Sequence, residues 1–172
     1  MNHLKKILIS LLICSTAACG WHLRGQVDVP VSLRILDLQA PTVNHTTRQT
    51  IRQTLLSNGI TLSKDATYQL VILKQTSKKR TLAVTSNAKA SEYELIQSLH
   101  FVVRHHDGQD LSGTLEVTSY RTQLYDATVV IAKAQEEQNL RRQMTQDNAS
   151  KLLRRLQKLS LSPRKTGLKD AP

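Results

Sequence analysis

A short apolar run from Ile7 to Cys14 follows Lys5 and Lys6 and gives way to Thr16-Ala17-Ala18-Cys19. A positive start, an apolar stretch of this size and small residues before a cleavage point make an export signal, since a spanning helix needs about 20 apolar residues. The small residues stop at a cysteine, which is the layout of a lipoprotein signal peptide. Small side chains must precede that cysteine because the cleaved backbone has to fit closely into a peptidase within the membrane. Ala17 and Ala18 meet that need, whereas Ile13 disqualifies Cys14. Thr16 stands where such signals usually carry Leu, and the competing reading is an ordinary export peptide that ends near a cysteine. With residues 1–18 as the signal, 154 of the 172 residues remain to fold. Cys14 leaves with the signal and Cys19 is acylated, so the mature chain must bury its core without a disulfide or a Cys-rich zinc site.

The anchor has physical consequences. The Cys19 thiol is expected to carry a diacylglycerol and the new amino group a further acyl chain; no other cofactor is expected. At about 0.8 kcal/mol per buried methylene, one chain binds marginally and two or more hold. No later segment offers the length of apolar residues a spanning helix requires. Gly20 occupies the place where an Asp would retain the protein at the inner membrane. By its similarity to Gram-negative lipoproteins, the chain is expected on the periplasmic side of the outer membrane.

Loss of Lys5 and Lys6 lowers the net charge from +11 to +9. So basic an envelope protein should attract lipid headgroups, lipopolysaccharide phosphates or an acidic partner. Nucleic acid fits badly, because the compartment is wrong and only 3% of residues are aromatic. A plain solvated surface is the alternative source of this charge.

The expected organisation is a lipidated tether over 19–30, one domain over 31–161 and a disordered polar tail over 162–172. Residues 31–38 read as a partly buried strand, and Ile51, Leu55 and Leu56 mark an amphipathic helix from Thr46 to Ser57, closed by Gly59. Tyr68 to Gln75 is a β-branched second strand running into basic residues. Thr81 to Ala90 has no clear period and is either the tip of a long hairpin or a loop. Glu92 to Arg104 alternates, with Leu99, Phe101 and Val103 on one face and Leu95, Ser98 and His100 as interruptions. Asp107-Gly108 suits a two-residue type I′ turn, and Leu111 to Tyr120 makes a fourth strand with Leu115 and Val117 inward. From about Ala132 to Leu159, Leu140, Met144, Leu152, Leu153, Leu156 and Leu159 form a helical stripe, with Glu136 and Glu137 near the start and basic residues near the end to suit the dipole. The order β-α-β-β-β-α implies an α+β domain, a four-stranded, mostly antiparallel sheet with two helices packed on one face.

Cys19-Gly20-Trp21-His22-Leu23-Arg24-Gly25 resembles the start of mature proteins of the LptE family. Ser91-Glu92-Tyr93-Glu94-Leu95 resembles the family's Ala-Glu-Tyr segment, and Ile131-Ala132-Lys133 the segment entering its last helix. The resemblance implies a non-enzymatic lipoprotein that plugs and helps assemble the LptD β-barrel as its heterodimer partner, and that binds lipopolysaccharide on its way to the outer leaflet. It also implies that Lys133 is a lipopolysaccharide contact. A second basic position falls by spacing on Ser86, a departure that Lys89 could make good.

Lysine and arginine suit the phosphates of lipid A, so Lys78, Lys79 and Arg80 join Lys89 and Lys133 as lipopolysaccharide candidates. The competing role is protection of a hairpin edge by charge. Lys151, Arg154, Arg155 and Lys158 share one helix face and are candidates for barrel or membrane contact, against a merely solvated face. Trp21 and Leu23, close to the anchor, are candidates for the same contacts, with packing on the domain as the alternative. His105-His106 beside the turn, with His100, lack a spaced third ligand, so no metal is expected. The chain holds no Gly-rich phosphate loop, Gly-x-Ser-x-Gly or His-Glu-x-x-His, and no catalytic residue is expected. The competing function is a free-standing periplasmic lipid-binding or adaptor lipoprotein without a barrel partner.

Overall fold

The computed structural model describes residues 29–84, 90–126 and 128–159; Cys19, Trp21, Leu23, Ser86, Lys89 and the tail over 162–172 lie outside them. Pro30 leads into a 3-10 turn, Val31–Leu33, in which Leu33 N–H donates to the Pro30 carbonyl at 2.8 Å. Strand β1 therefore covers Ile35–Gln39, not the whole of 31–38. Proline's fixed φ suits the turn, and the turn drives Leu33 fully into the core.

Helix α1, His45–Ser57, starts where the Asn44 side chain accepts the Thr47 N–H at 2.8 Å. It ends in a left-handed cap. Gly59, at φ 78°, donates to Leu56 O, and Ile60 donates to Leu55 O, both at 3.1 Å. Ile51 and Leu55 are buried, while Leu56 turns outward.

The next residues hold a strand that periodicity could not reveal. β2, Thr61–Leu62, pairs in parallel with the outer side of β1 through only two residues, too few for an alternation. The sheet consequently has five strands, in the order β2-β1-β3-β4-β5, instead of four. Strands β3 (Tyr68–Val84), β4 (Ala90–His105) and β5 (Leu115–Leu124) form the long antiparallel ladders. β1 runs parallel to both β2 and β3, so the sheet is mixed. The helical crossover through α1 is what a parallel β1–β3 pair requires.

The hairpin reading of 81–90 holds as far as Val84 and Ala90, which are paired. The turn after β4 differs from the two-residue form. His105 N–H donates to Gln109 O at 2.8 Å and Gly108 N–H to His105 O at 2.9 Å, so three residues reverse the chain, with Gly108 at φ 95°. Such loops place glycine in the left-handed position. After the Arg104–Asp110 bridge the chain bulges through Gly113 and rejoins the ladder at Leu115 opposite Phe101. That bulge moves the last strand from the expected 111–120 to 115–124, while Val117 stays buried inward.

Helix α2, Val130–Gln157, begins two residues before Ala132. Its first turn contains no acidic residue, and Glu136 and Glu137 pair with cations from one turn further in. Met144, Leu152, Leu153 and Leu156 are buried, with Thr145 and Asn148 buried among them. Both helices cover one face of the sheet. Ile51 and Leu55 from α1, with Leu152, Leu153 and Leu156 from α2, close one core over Leu36, Leu70, Ile72, Leu99, Phe101 and Val103. Leu95 lies on this same inward face, fully buried, and does not interrupt it.

Candidate functional site

Strand alternation divides the Lys78-Lys79-Arg80 run between the two faces of β3. Lys79 faces α2, where its Nζ lies 2.7 Å from Glu137 Oε2 and 4.2 Å from the centre of the Tyr93 ring. Tyr93 in turn meets Tyr125 edge-on at 5.6 Å. Arg80 faces away from the helices and its Nε pairs with Glu94 on β4 at 2.6 Å. Lys78 shares that outer face, opposite Ile96, and has no ion pair among the described residues. The three cations thus do not converge on one point.

Lys133 sits in the first turn of α2, the next element after β5, and its carbonyl is held by Gln123 of β5 opposite Tyr93, so it stands at the end of the sheet reached by the β3–β4 hairpin. Gln123 Nε2 donates to the Lys133 carbonyl at 2.7 Å, and Lys133 Nζ pairs with Glu136 at 2.8 Å. That hydrogen bond lowers the Glu136 carboxyl below its ordinary range, and the Lys133 charge adds to it. For Glu137, burial raises the carboxyl, and the hydrogen bonds from Lys79 and Arg141 outweigh it, so the net shift is downward. Lys79, Arg80 and Lys133 are therefore held by carboxylates, and an anion must compete for each.

The same end is apolar as well as charged. Val84, Leu124, Val130 and Ile131 are exposed, Ile131 by 86%. Residues 128–132 with Gln135 line a shallow, mainly apolar depression at the start of α2. Cations beside uncovered hydrocarbon are the arrangement an amphiphile with phosphates and acyl chains can use. The sequence pattern missed this apolar rim because the exposed residues lie on three separate elements.

The other expected cluster lies at the far end of α2. Lys151 Nζ donates to Thr118 O at 2.5 Å and to Ser119 Oγ at 2.9 Å, which ties it to β5. Arg154, Arg155 and Lys158 remain exposed and, with Glu116, border a cleft of about 330 Å³ between helix and strand. Lys151 therefore does not belong with them as a free cation. His105 pairs with Asp107 at 3.0 Å, and His100 stands 3.8 Å from Glu116.

Comparison with known proteins gives this fold a context. A family model described as "LptE: Lipopolysaccharide-assembly" matches residues 29–156. An LPS-assembly lipoprotein LptE of Pectobacterium atrosepticum is 29% identical over 161 residues, covering 91% of this chain and 86% of its own. Its namesake in Yersinia pestis strain Pestoides F is 30% identical over 154 residues, covering 87% and 73%. Two solved structures share the fold. A minor lipoprotein from Acinetobacter baumannii superposes with a TM-score of 0.65 at 24% identity, over 74% of this chain and 93% of that one. A lipoprotein B from Nitrosomonas europaea gives 0.66 at 20%, over 80% and 90%. The α+β architecture and the sequence match define one class, the lipopolysaccharide-assembly proteins. The chain belongs to the LptE family.

Proposed function

We propose that the protein is an outer-membrane lipoprotein, anchored through acylated Cys19 on the periplasmic side, that partners an LptD β-barrel. In that position it plugs and helps assemble the barrel and contacts lipopolysaccharide during delivery to the outer leaflet. The family membership supports the assembly role, and the relatives it matches are named as LPS-assembly lipoproteins. The single observation that carries the lipopolysaccharide contact is the end of the molecule where Lys133 stands beside exposed Val130 and Ile131. Phosphate would replace Glu136 on the ammonium, and hydrocarbon would cover the apolar rim.

The exchange sets the expected magnitudes. An exposed ion pair contributes about 0–1 kcal/mol, so a phosphate can displace Glu136 at small cost. Lipopolysaccharide capture by the full-length acylated protein should weaken with Lys133→Glu and strengthen severalfold, within about fivefold, with Glu136→Gln. Both effects should shrink as salt rises. Unchanged capture by both variants would remove Lys133 from the contact.

A further inference from the structure

The cations of this protein divide into two kinds. Lys79, Arg80, Arg104, Arg121, Lys133 and Arg141 each pair with a carboxylate. Arg154, Arg155 and Lys158 do not. All three are exposed at the end of α2, and among the described residues none has an ion pair. Spacings of three and four residues put them side by side on one open helix face. Glu116 is the carboxylate that borders the same cleft, and it is already engaged by Thr118 Oγ1 at 3.2 Å and stands 3.8 Å from His100. Beyond the helix the sequence adds Arg164, Lys165 and Lys169 against a single acidic residue, Asp170.

The position of this face relative to Cys19 follows from the strand registers. The described chain enters at Val29, buried six residues before β1 begins. β1 starts level with the start of β3, where Leu36 lies opposite Tyr68. Residues 19–28 can span at most about 35 Å between Cys19 and that point. The far end of β3, at Val84, is about 50 Å from Tyr68, beyond the reach of such a tether. The cationic face is much nearer. Arg154 and Arg155 border the cleft beside Glu116, which is level with His100 and so with Lys74. That level is about 20 Å along the sheet from Tyr68, and β5 lies three strands, about 14 Å, across from β1.

We propose that Arg154, Arg155 and Lys158 dock on an anionic phospholipid surface, the one that holds the acyl chains of Cys19, and that the hairpin end stands clear of it. The proposal rests on the acylated Cys19 of the function proposed above and not on its barrel or lipopolysaccharide contacts. An acidic protein could meet the same charges. The tether favours the bilayer, because it keeps headgroups at high effective concentration beside this face. Attraction between cations and anionic headgroups falls off within a Debye length, so the face must lie close to the surface.

Fluorescence transfer to acceptor-labelled headgroups tests this on the full-length acylated protein. The vesicles are phosphatidylethanolamine with phosphatidylglycerol, and neutral phosphatidylcholine. Gln157→Cys and Ala134→Cys carry the donor at exposed sites about 35 Å apart along α2. In the anionic vesicles, transfer from position 157 should exceed that from 134 by about threefold or more. It should fall about twofold or more at high salt, in neutral vesicles, or when all three cations are replaced by Gln. Equal transfer from the two sites, or indifference to lipid charge, would overturn the docking face. A lower melting temperature in the triple variant with unchanged transfer would overturn it too, leaving the cations to the helix dipole alone. So would low transfer from position 157 together with a cross-link from it to a protein in native membranes, which would assign the face to an acidic partner. A bare N-terminus by mass analysis would remove the anchor. Flotation of that protein with the anionic vesicles alone would still support the face, and flotation with neither would overturn both readings.

Discussion

Lys79 Nζ lies 2.7 Å from Glu137 Oε2, across 58 residues of sequence, and fastens the β3–β4 hairpin to the second turn of α2. The tie is conditional on ionisation. Glu137 has its carboxyl held below the usual value, where burial is outweighed by Lys79 and Arg141. A group whose folded value is depressed stabilises fully above its unfolded value, about 4.3 for glutamate, and that gain is lost as pH falls through the folded value. The melting temperature should therefore drop between about pH 6 and about pH 3, and Glu137→Gln should drop less over the same span. Parallel pH profiles for the two proteins would show that Glu137 contributes nothing to the acid limb.

Asn148 supplies the second link between helix and sheet. Its Oδ1 accepts from Ser119 Oγ at 2.8 Å and its Nδ2 donates to the Gln97 carbonyl at 2.9 Å, both buried. Truncation to Ala leaves both partners inside the core with less to bind, at a cost of about 3 kcal/mol. Asn148→Asp keeps the acceptor and loses the donor, and should be at least as destabilising, since it also buries a charge. Urea unfolding measures both. A loss below about 0.5 kcal/mol in either would mean that water replaces the amide without penalty.

β5 is an edge strand, and two of its carbonyls are occupied by the protein's own cations. Lys151 Nζ donates to Thr118 O at 2.5 Å and Arg121 Nη1 to Tyr120 O at 2.8 Å. A vacant edge recruits further strands, and charge on the edge prevents it. Lys151→Met should keep the aliphatic stem and free the Thr118 carbonyl, raising concentration-dependent association in sedimentation runs. A variant that stays as monodisperse as the parent would show that Lys151 has no part in guarding the edge.

The sequence pattern revealed what depends on long periods. Both helices and the inward set Leu99, Phe101 and Val103 were legible because each repeats along one element, and Gly59 was legible as the stop after α1. Two-residue β2 carries no period, and the bulge through Gly113 depends on how β5 meets β4, which no local pattern records. At the candidate site, the cation types were legible but their partners were not. Lys79 and Glu137 are 58 residues apart, and only strand alternation together with helix placement brings them into contact. The polar layer of Gln97, Thr145 and Asn148 was hidden for a related reason: each residue breaks an apolar stripe when read singly, and only the folded pairing shows Gln97 Nε2 donating to Thr145 and Asn148 Nδ2 to the Gln97 carbonyl.

The most direct test of the assembly role is extraction of the native acylated protein from outer membranes in mild detergent, followed by mass analysis of what comes with it. A stable complex with a single large β-barrel, carrying lipids on Cys19, is the predicted result. Recovery of the protein alone, or with an unmodified N-terminus, would contradict the account and favour a free-standing periplasmic adaptor.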